Sequence, residues 1–230
     1  MSKPGRQLTL DLPHRAALDA EDFLVSDSNA AAVAVIDRWP DWSAGGLMLV
    51  GPAGVGKSHL ANVWRRRSGA VLISAAALTD QSLRHVLTAS AVIVEDVDRG
   101  LGEERALFHL LNLGREQRLS LLLTSRANPG IMEIALADLR SRLRAMPVVE
   151  IEAPDEALMQ AVVVKLFADR QLAVEPSVVA YVAAAAGRSM EAAVRTVAEI
   201  DQVALASRRR VTQTLASEVL SGMTSEAGDA

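Results

Sequence analysis

The chain has 230 residues and a net charge of −4, so it fits one large or two modest domains and has no global attraction to nucleic acid. It has no cysteine, which excludes disulfides and thiolate metal sites, and its four histidines show no metal-ligand spacing. Half the residues are hydrophobic, only 3% are aromatic, and no run reaches membrane-spanning length or forms a signal-peptide core. A soluble, cytoplasmic protein without a membrane partner is expected, its core built from Ala, Val, Leu and Ile.

Residues 1–20 contain Pro4, Gly5 and Pro13 and show no helical period, so a flexible tail is expected. Within it Gln7, Leu8, Thr9, Leu10, Asp11 and Leu12 follow one another, and Leu8, Leu10 and Leu12 share one face when extended. Two readings stay open: an edge strand docked on its own domain, or a peptide that enters another protein's groove. Phe23-Leu24-Val25 leads to Ser28 or Asn29, either a suitable N-cap, and then to an amphipathic helix over 30–38 ended by Pro40.

The apolar strand Leu47-Met48-Leu49-Val50 runs into Gly51-Pro52-Ala53-Gly54-Val55-Gly56-Lys57-Ser58, and a helix-forming stretch begins at His59. Strand, glycine-rich loop ending in Lys-Ser, and helix form the P-loop pattern. The glycines let successive N–H groups point inward at phosphate oxygens. Lys57 can reach the β- and γ-phosphates, Ser58 can hold Mg²⁺, and the helix N-terminus beside His59 favours negative charge. A nucleoside phosphate ligand is predicted. Phe23 and Val25 can form a wall of its base pocket or simply join the core.

A second strand over 70–73 and a helix over 80–88 lead to a third strand over 91–94 that ends in Glu95-Asp96. Apolar residues running into an acidic pair downstream of a P-loop form the Walker B pattern. The first acid orients Mg²⁺ through water, and the second can polarise the attacking water. Glu95 carries one methylene more than the Asp usual at the first position, which bears on metal geometry and turnover. A periodic helix over 103–118 precedes a fourth strand over 119–123, ending in Thr124-Ser125-Arg126. Asp138-Leu139-Arg140-Ser141-Arg142-Leu143-Arg144 precedes the last strand, over 148–151.

Beyond Pro154 only helical patterns remain, over 155–171, 176–186, 190–209 and 211–220, with 225–230 expected to fray. The expected organisation is a tail (1–20), a nucleotide-binding base (21–152) and a helical lid (153–230). Arg65-Arg66-Arg67 and Arg208-Arg209-Arg210 fall at predicted helix C-termini, where they offset the macrodipole or touch a phosphate backbone. Trp39, Trp42 and Trp64 read as core.

Five strands alternating with helices, then a helical bundle, resemble the base and lid of AAA+ ATPases. The fold class expected is α/β: a P-loop NTPase with a five-stranded parallel sheet in an αβα sandwich and a small all-helical lid. Thr124 falls at that superfamily's sensor 1 position. Arg188-Ser189-Met190-Glu191-Ala192-Ala193-Val194 resembles the sensor 2 signature of the DnaA replication-initiator family. Phe23-Leu24-Val25 and Asn29 resemble its entry segment, and Ser141-Arg142 resembles its box VII arginine. The likeness covers 21–220. The tail is similar to the Gln-Leu-x-Leu-x-Leu peptide by which bacterial replication proteins bind the sliding clamp. Residues 74–90 leave room for one short helix where initiators insert a DNA-engaging wedge, and no helix-turn-helix is expected after the lid. A DnaA-like module with a clamp peptide in front resembles the Hda-type regulators.

That resemblance implies ADP or ATP with Mg²⁺, held by the loop, Thr124 and the lid's Arg188. It places Gln7, Leu8, Leu10 and Leu12 on the DNA polymerase III sliding clamp (its β subunit), with DNA approached only through the clamp. It makes Arg142 an arginine finger that stimulates hydrolysis of ATP held by DnaA and so prevents over-initiation, while the chain's own ATPase is weak at most. Two other classes stay open. One is a stand-alone ATPase, a helicase loader or remodeller using Glu95 and Asp96; the other is a clamp-tethered adaptor without a catalytic role. ADP and ATP, and monomer and homodimer, stay open as well.

Overall fold

The computed structural model describes residues 23–42, 45–86, 88–117 and 119–228. Five parallel strands, β1 (Gly46–Val50), β2 (Val71–Ser74), β3 (Ala91–Glu95), β4 (Ser120–Ser125) and β5 (Val148–Glu150), form one sheet in the order β2-β3-β4-β1-β5. Burial explains that order. β1, β3 and β4 are nearly continuous buried apolar runs and take the centre, while the half-exposed β2 and β5 lie at the edges.

Helices α1 (Ala30–Asp37) and α2 (Lys57–Ser68) cover one face of the sheet; α3 (Asp80–Val86), α4 (Glu104–Gln117) and α5 (Ala137–Arg144) cover the other. Alternate strand residues serve the two faces. Leu47, Leu49, Ile93 and Leu122 pack with Ile36, Leu60 and Trp64, whereas Met48, Val94, Leu121 and Leu123 pack with Leu107, Leu110, Leu139 and Leu143. Full burial of each such side chain stabilises by about 1.5–3 kcal/mol. The tryptophans are core, as the sequence predicts: Trp64 is fully buried, Trp42 stacks on it at 5.1 Å, and Trp39 meets it edge-on at 6.0 Å.

Between β2 and β3 lie a 3₁₀ turn (Ala75–Ala77) and α3, so one short α-helix occupies this segment. A third core unites α6 (Glu156–Asp169), α7 (Pro176–Ala186), α8 (Met190–Ser207) and α9 (Gln213–Gly228) through residues such as Phe167, Val182, Val197, Ile200 and Ala216. Asp155 caps α6 by accepting a hydrogen bond from Leu158 N–H at 2.7 Å. The end of the chain departs from the sequence expectation, because α9 runs to Gly228 rather than fraying from Ser225. Leu215, Ala216 and Val219 anchor its start in the core, and an anchored helix adds one hydrogen bond per residue as it propagates.

Candidate functional site: a cavity between the strand tips and the helical lid

The site begins where β1 ends. The turn Gly51–Gly56 carries the chain to α2, whose first residue is Lys57, two positions earlier than the sequence pattern indicates. Gly56 makes this possible as an N-cap with φ 98°, a left-handed backbone that favours glycine. Lys57 is only 7% exposed, and its Nζ donates to Gly51 O at 2.7 Å and to Pro52 O at 2.8 Å. Its pKa lies below the usual lysine value, first because burial penalises the charged form and next because of the Arg126 guanidinium. Ser58 stands beside it on the first turn of α2 and faces the same cavity.

At the end of β3, Glu95 Oε1 is buried and has no hydrogen-bond partner among the described residues. An orphaned carboxylate oxygen costs free energy unless a ligand satisfies it, so this residue fits an acid that completes a hydrated cation's shell. Asp96 turns the other way. Its φ of 57° swings the side chain into the cavity, its backbone N–H donates to Thr124 Oγ1 at 3.1 Å, and its carboxylate meets Arg99 at 3.5 Å. Thr124 is therefore a support: it is wholly buried and holds the backbone that aims Asp96, without lining the cavity itself.

The cavity encloses about 650 Å³. Ala53, Gly54, Gly56, Lys57 and Ser58 form its floor, and Asp96, Arg99 and Arg126 its far end. Phe23, Leu24 and His59 form one wall, with the Phe23 and His59 rings 5.4 Å apart. Asn29 builds that wall in an unexpected way. It stands at the N-cap of α1, but its side chain makes no cap bond; it turns back to accept from Ser26 N–H and donate to Leu24 O, both at 3.0 Å. Val25 packs against the core instead of the cavity, as does Val55 of the loop, while the buried Gly51 and the exposed Pro52 do not line the cavity either. The lid supplies the opposite wall through Val162, Lys165 and Leu166 of α6 and Met190, Glu191 and Val194 of α8.

Lid and loop touch directly. Met190 N–H donates to Gly54 O at 2.7 Å, and a Cβ placed on Gly54 would run into the Ser189 side chain. Gly54 also has φ 73°. Gly54→Ala is thus expected to destabilise by about 1–2 kcal/mol through backbone strain alone. In a chain of this size the melting temperature then falls by about 2–8 °C. Thermal denaturation by circular dichroism checks this, and a value within about a degree of wild type contradicts the observed loop–lid contact.

Arg188 does not line the cavity. Its Nε donates to Pro154 O at 3.1 Å and its Nη2 to Ala153 O at 2.9 Å, tying the start of α8 to the segment that joins β5 to α6. On α5, Arg140 Nη1 donates to Ile134 O at 3.2 Å and Arg144 Nη2 to Gly130 O at 3.0 Å. Arg142, half-buried between them in sequence, has no hydrogen bond or ion pair among the described residues, and it lies away from its own chain's cavity. Both basic runs have internal partners. Arg65 donates to Ala70 O, Arg67 donates to Trp39 O and lies over the Trp39 ring, and Arg209 pairs with Glu218 at 2.8 Å.

Gln7, Leu8, Leu10 and Leu12 lie outside the described residues. Among the described residues no cluster of His, Cys, Asp and Glu forms a metal site, and no helix is long and apolar enough to cross a membrane. Sequence reasoning missed Leu24, Arg99, Arg126 and the lid's Val162, Lys165 and Leu166. Position just beyond a strand tip marks Arg126, but nothing in the local pattern of α6 marks a cavity wall.

A five-stranded parallel sheet in this order, a glycine-rich loop leaving β1 and a helical lid over the strand tips make up the α/β-plus-lid fold of AAA+ proteins. Solved structures with the same fold include domain III of the Thermotoga maritima replication initiation protein DnaA, with a TM-score of 0.75, 17% identity and coverage of 87% of this chain and 94% of that one. A replication initiator DnaA bound to AMPPCP and single-stranded DNA matches at a TM-score of 0.62 and 20% identity, over 80% of this chain and 63% of its own. The Thermotoga maritima RuvB Holliday junction branch migration motor matches at 0.60 and 14%, over 76% and 61%. No protein-family model matches the chain, and no curated protein matches it in sequence.

Proposed function

We propose that the chain is an AAA+ regulator of replication initiation that binds an adenine nucleotide and the sliding clamp and stimulates hydrolysis of ATP held by DnaA. The observation that carries this reading is Arg142. Of the arginines on α5, it alone has no partner among the described residues, on a helix packed against the face of the sheet opposite α2. A guanidinium placed so is available to a site outside its own chain. The lined cavity supports nucleotide binding, and one protein of the same fold is bound to AMPPCP.

The chain's own residues then divide the work. Loop N–H groups and Lys57 hold the phosphates; Phe23, Leu24 and His59 hold the base against the lid. Ser58 and Glu95 would hold Mg²⁺, whose chemistry is to neutralise phosphate charge. The loop–lid bond between Gly54 and Met190 couples the occupied site to the lid angle. Gln7, Leu8, Leu10 and Leu12 would anchor the protein on the clamp, which concentrates it near the initiator.

A second reading, a stand-alone ATPase loader or remodeller, is favoured by Asp96 facing the cavity, where an acid can polarise water. A steady-state ATPase assay separates the two. Activity of the isolated chain supports the loader; activity only with initiator, clamp and DNA supports the regulator. On the regulator reading, Gln7→Ala, or Leu10→Ala with Leu12→Ala, abolishes capture on immobilised clamp and leaves the nucleotide-dependent melting shift unchanged. Undiminished capture removes the clamp partner.

A further inference from the structure

The first described residue, Phe23, rests against His59 on the first turn of α2, their rings 5.4 Å apart. His59 also opens a separate groove of about 540 Å³ along α2, lined by His59, Asn62, Arg65, Arg66, Gly69 and Ala70. Two arginines and a histidine line this groove, and among the described residues no carboxylate does. Both arginines are exposed, and Arg65 is pinned at the groove by its Nε bond to Ala70 O at 3.2 Å. Such a lining fits an anionic segment.

The four residues that precede Phe23 include three acids, Asp19, Glu21 and Asp22. An extended chain advances about 3.3–3.6 Å per residue, so Asp19 can reach about 13–14 Å from Phe23. Along α2, Arg66 stands about 10 Å beyond His59 and Gly69 about 15 Å beyond it. The acidic stretch thus starts at one end of the groove and matches its length. Asp19 and Glu21 also share one face of an extended segment. A free polyanion such as nucleic acid gains no long-range attraction from a chain of net charge −4. It must also displace a segment joined directly to Phe23, whose effective concentration is about millimolar.

We propose that residues 19–22 lie along the basic groove of α2 and strap the chain's start to this helix. The strap holds Phe23, and so one wall of the nucleotide cavity, against α2. On the clamp-docking reading given above, the peptide Gln7–Leu12 then leaves from the C-terminal end of α2, the end remote from the cavity.

Cross-linking tests the strap without clamp or nucleotide, so its outcome is separate from the fate of either partner. The chain has no cysteine of its own. Ala20→Cys is combined with Asn62→Cys in the groove or, as a reference, with Thr214→Cys at the exposed start of α9, and each pair is treated with a short bifunctional thiol reagent. The groove pair should cross-link within one chain much faster than the reference pair. Adding Arg66→Glu should slow it by about threefold or more, 1 M salt should slow it likewise, and Arg66→Lys should leave it nearly unchanged. Equal rates for the two pairs, or a groove rate that neither Arg66→Glu nor salt alters, overturns the proposal. Binding of a labelled single-stranded oligonucleotide that Arg66→Glu abolishes, with the cross-linking rate unchanged, assigns the groove to a phosphate backbone and overturns it as well.

Discussion

Arg142→Ala is expected to bind clamp and nucleotide as wild type does, and to lose an acceleration of initiator ATP hydrolysis of about 10³- to 10⁵-fold. That factor corresponds to about 4–7 kcal/mol of barrier. A guanidinium from a neighbouring chain meets charge that develops on the transferring phosphoryl group, so its loss falls on the chemical step. A surface ion pair, the bland alternative, is worth at most about 1 kcal/mol and would not govern turnover in another protein. Asp138, one turn earlier on α5, is the nearest carboxylate in sequence for such a pair, yet no Arg142–Asp138 ion pair forms among the described residues. It also supplies a control. Arg144 is committed to Gly130 O, so Arg144→Ala should retain stimulation. Arg142→Lys should fail almost as badly as Arg142→Ala, because an ammonium does not reproduce the planar fork. Single-turnover hydrolysis separates these variants, and near-wild-type stimulation by Arg142→Ala would leave the adaptor role in its place.

Lys57→Ala is expected to remove nucleotide-dependent stabilisation. A ligand at 100 times its Kd stabilises the native state by about 2.7 kcal/mol, which raises the melting temperature of a chain this size by about 5–11 °C. Wild type should show that shift with excess nucleotide, and Lys57→Ala little or none. Without nucleotide the two proteins should differ less. Removing Lys57 loses its bonds to Gly51 O and Pro52 O, but it also relieves the desolvation of a buried ammonium. Equal nucleotide-induced shifts in both proteins count against Lys57 as a phosphate ligand.

The central strands were legible because each is an apolar run long enough to be buried on both faces, as Leu47–Val50 and Ala91–Val94 show. The loop was legible because its glycines and Lys57 serve one local geometry. Element ends were less so. The sequence pattern starts α2 at His59, but the left-handed Gly56 lets it begin at Lys57. Asn29 carries a capping side chain, yet tertiary packing recruits it to hold Leu24. The cavity's lid wall was not legible at all. Val162 and Leu166 read locally as helix core, and only the placement of α6 over the strand tips turns them toward the cavity. Arg188 was read from a resemblance, which could not foresee its bonds to Ala153 and Pro154 across the junction between sheet and lid.

The central claim is that this chain makes another protein hydrolyse its nucleotide. The direct measurement loads initiator with γ-labelled ATP, removes free nucleotide, adds clamp-loaded DNA, and follows label release with and without this protein. The account predicts release accelerated by about 10³-fold or more in its presence, dependent on the clamp and on Arg142. An unchanged rate, with the protein shown to be bound to clamp and nucleotide, would contradict it.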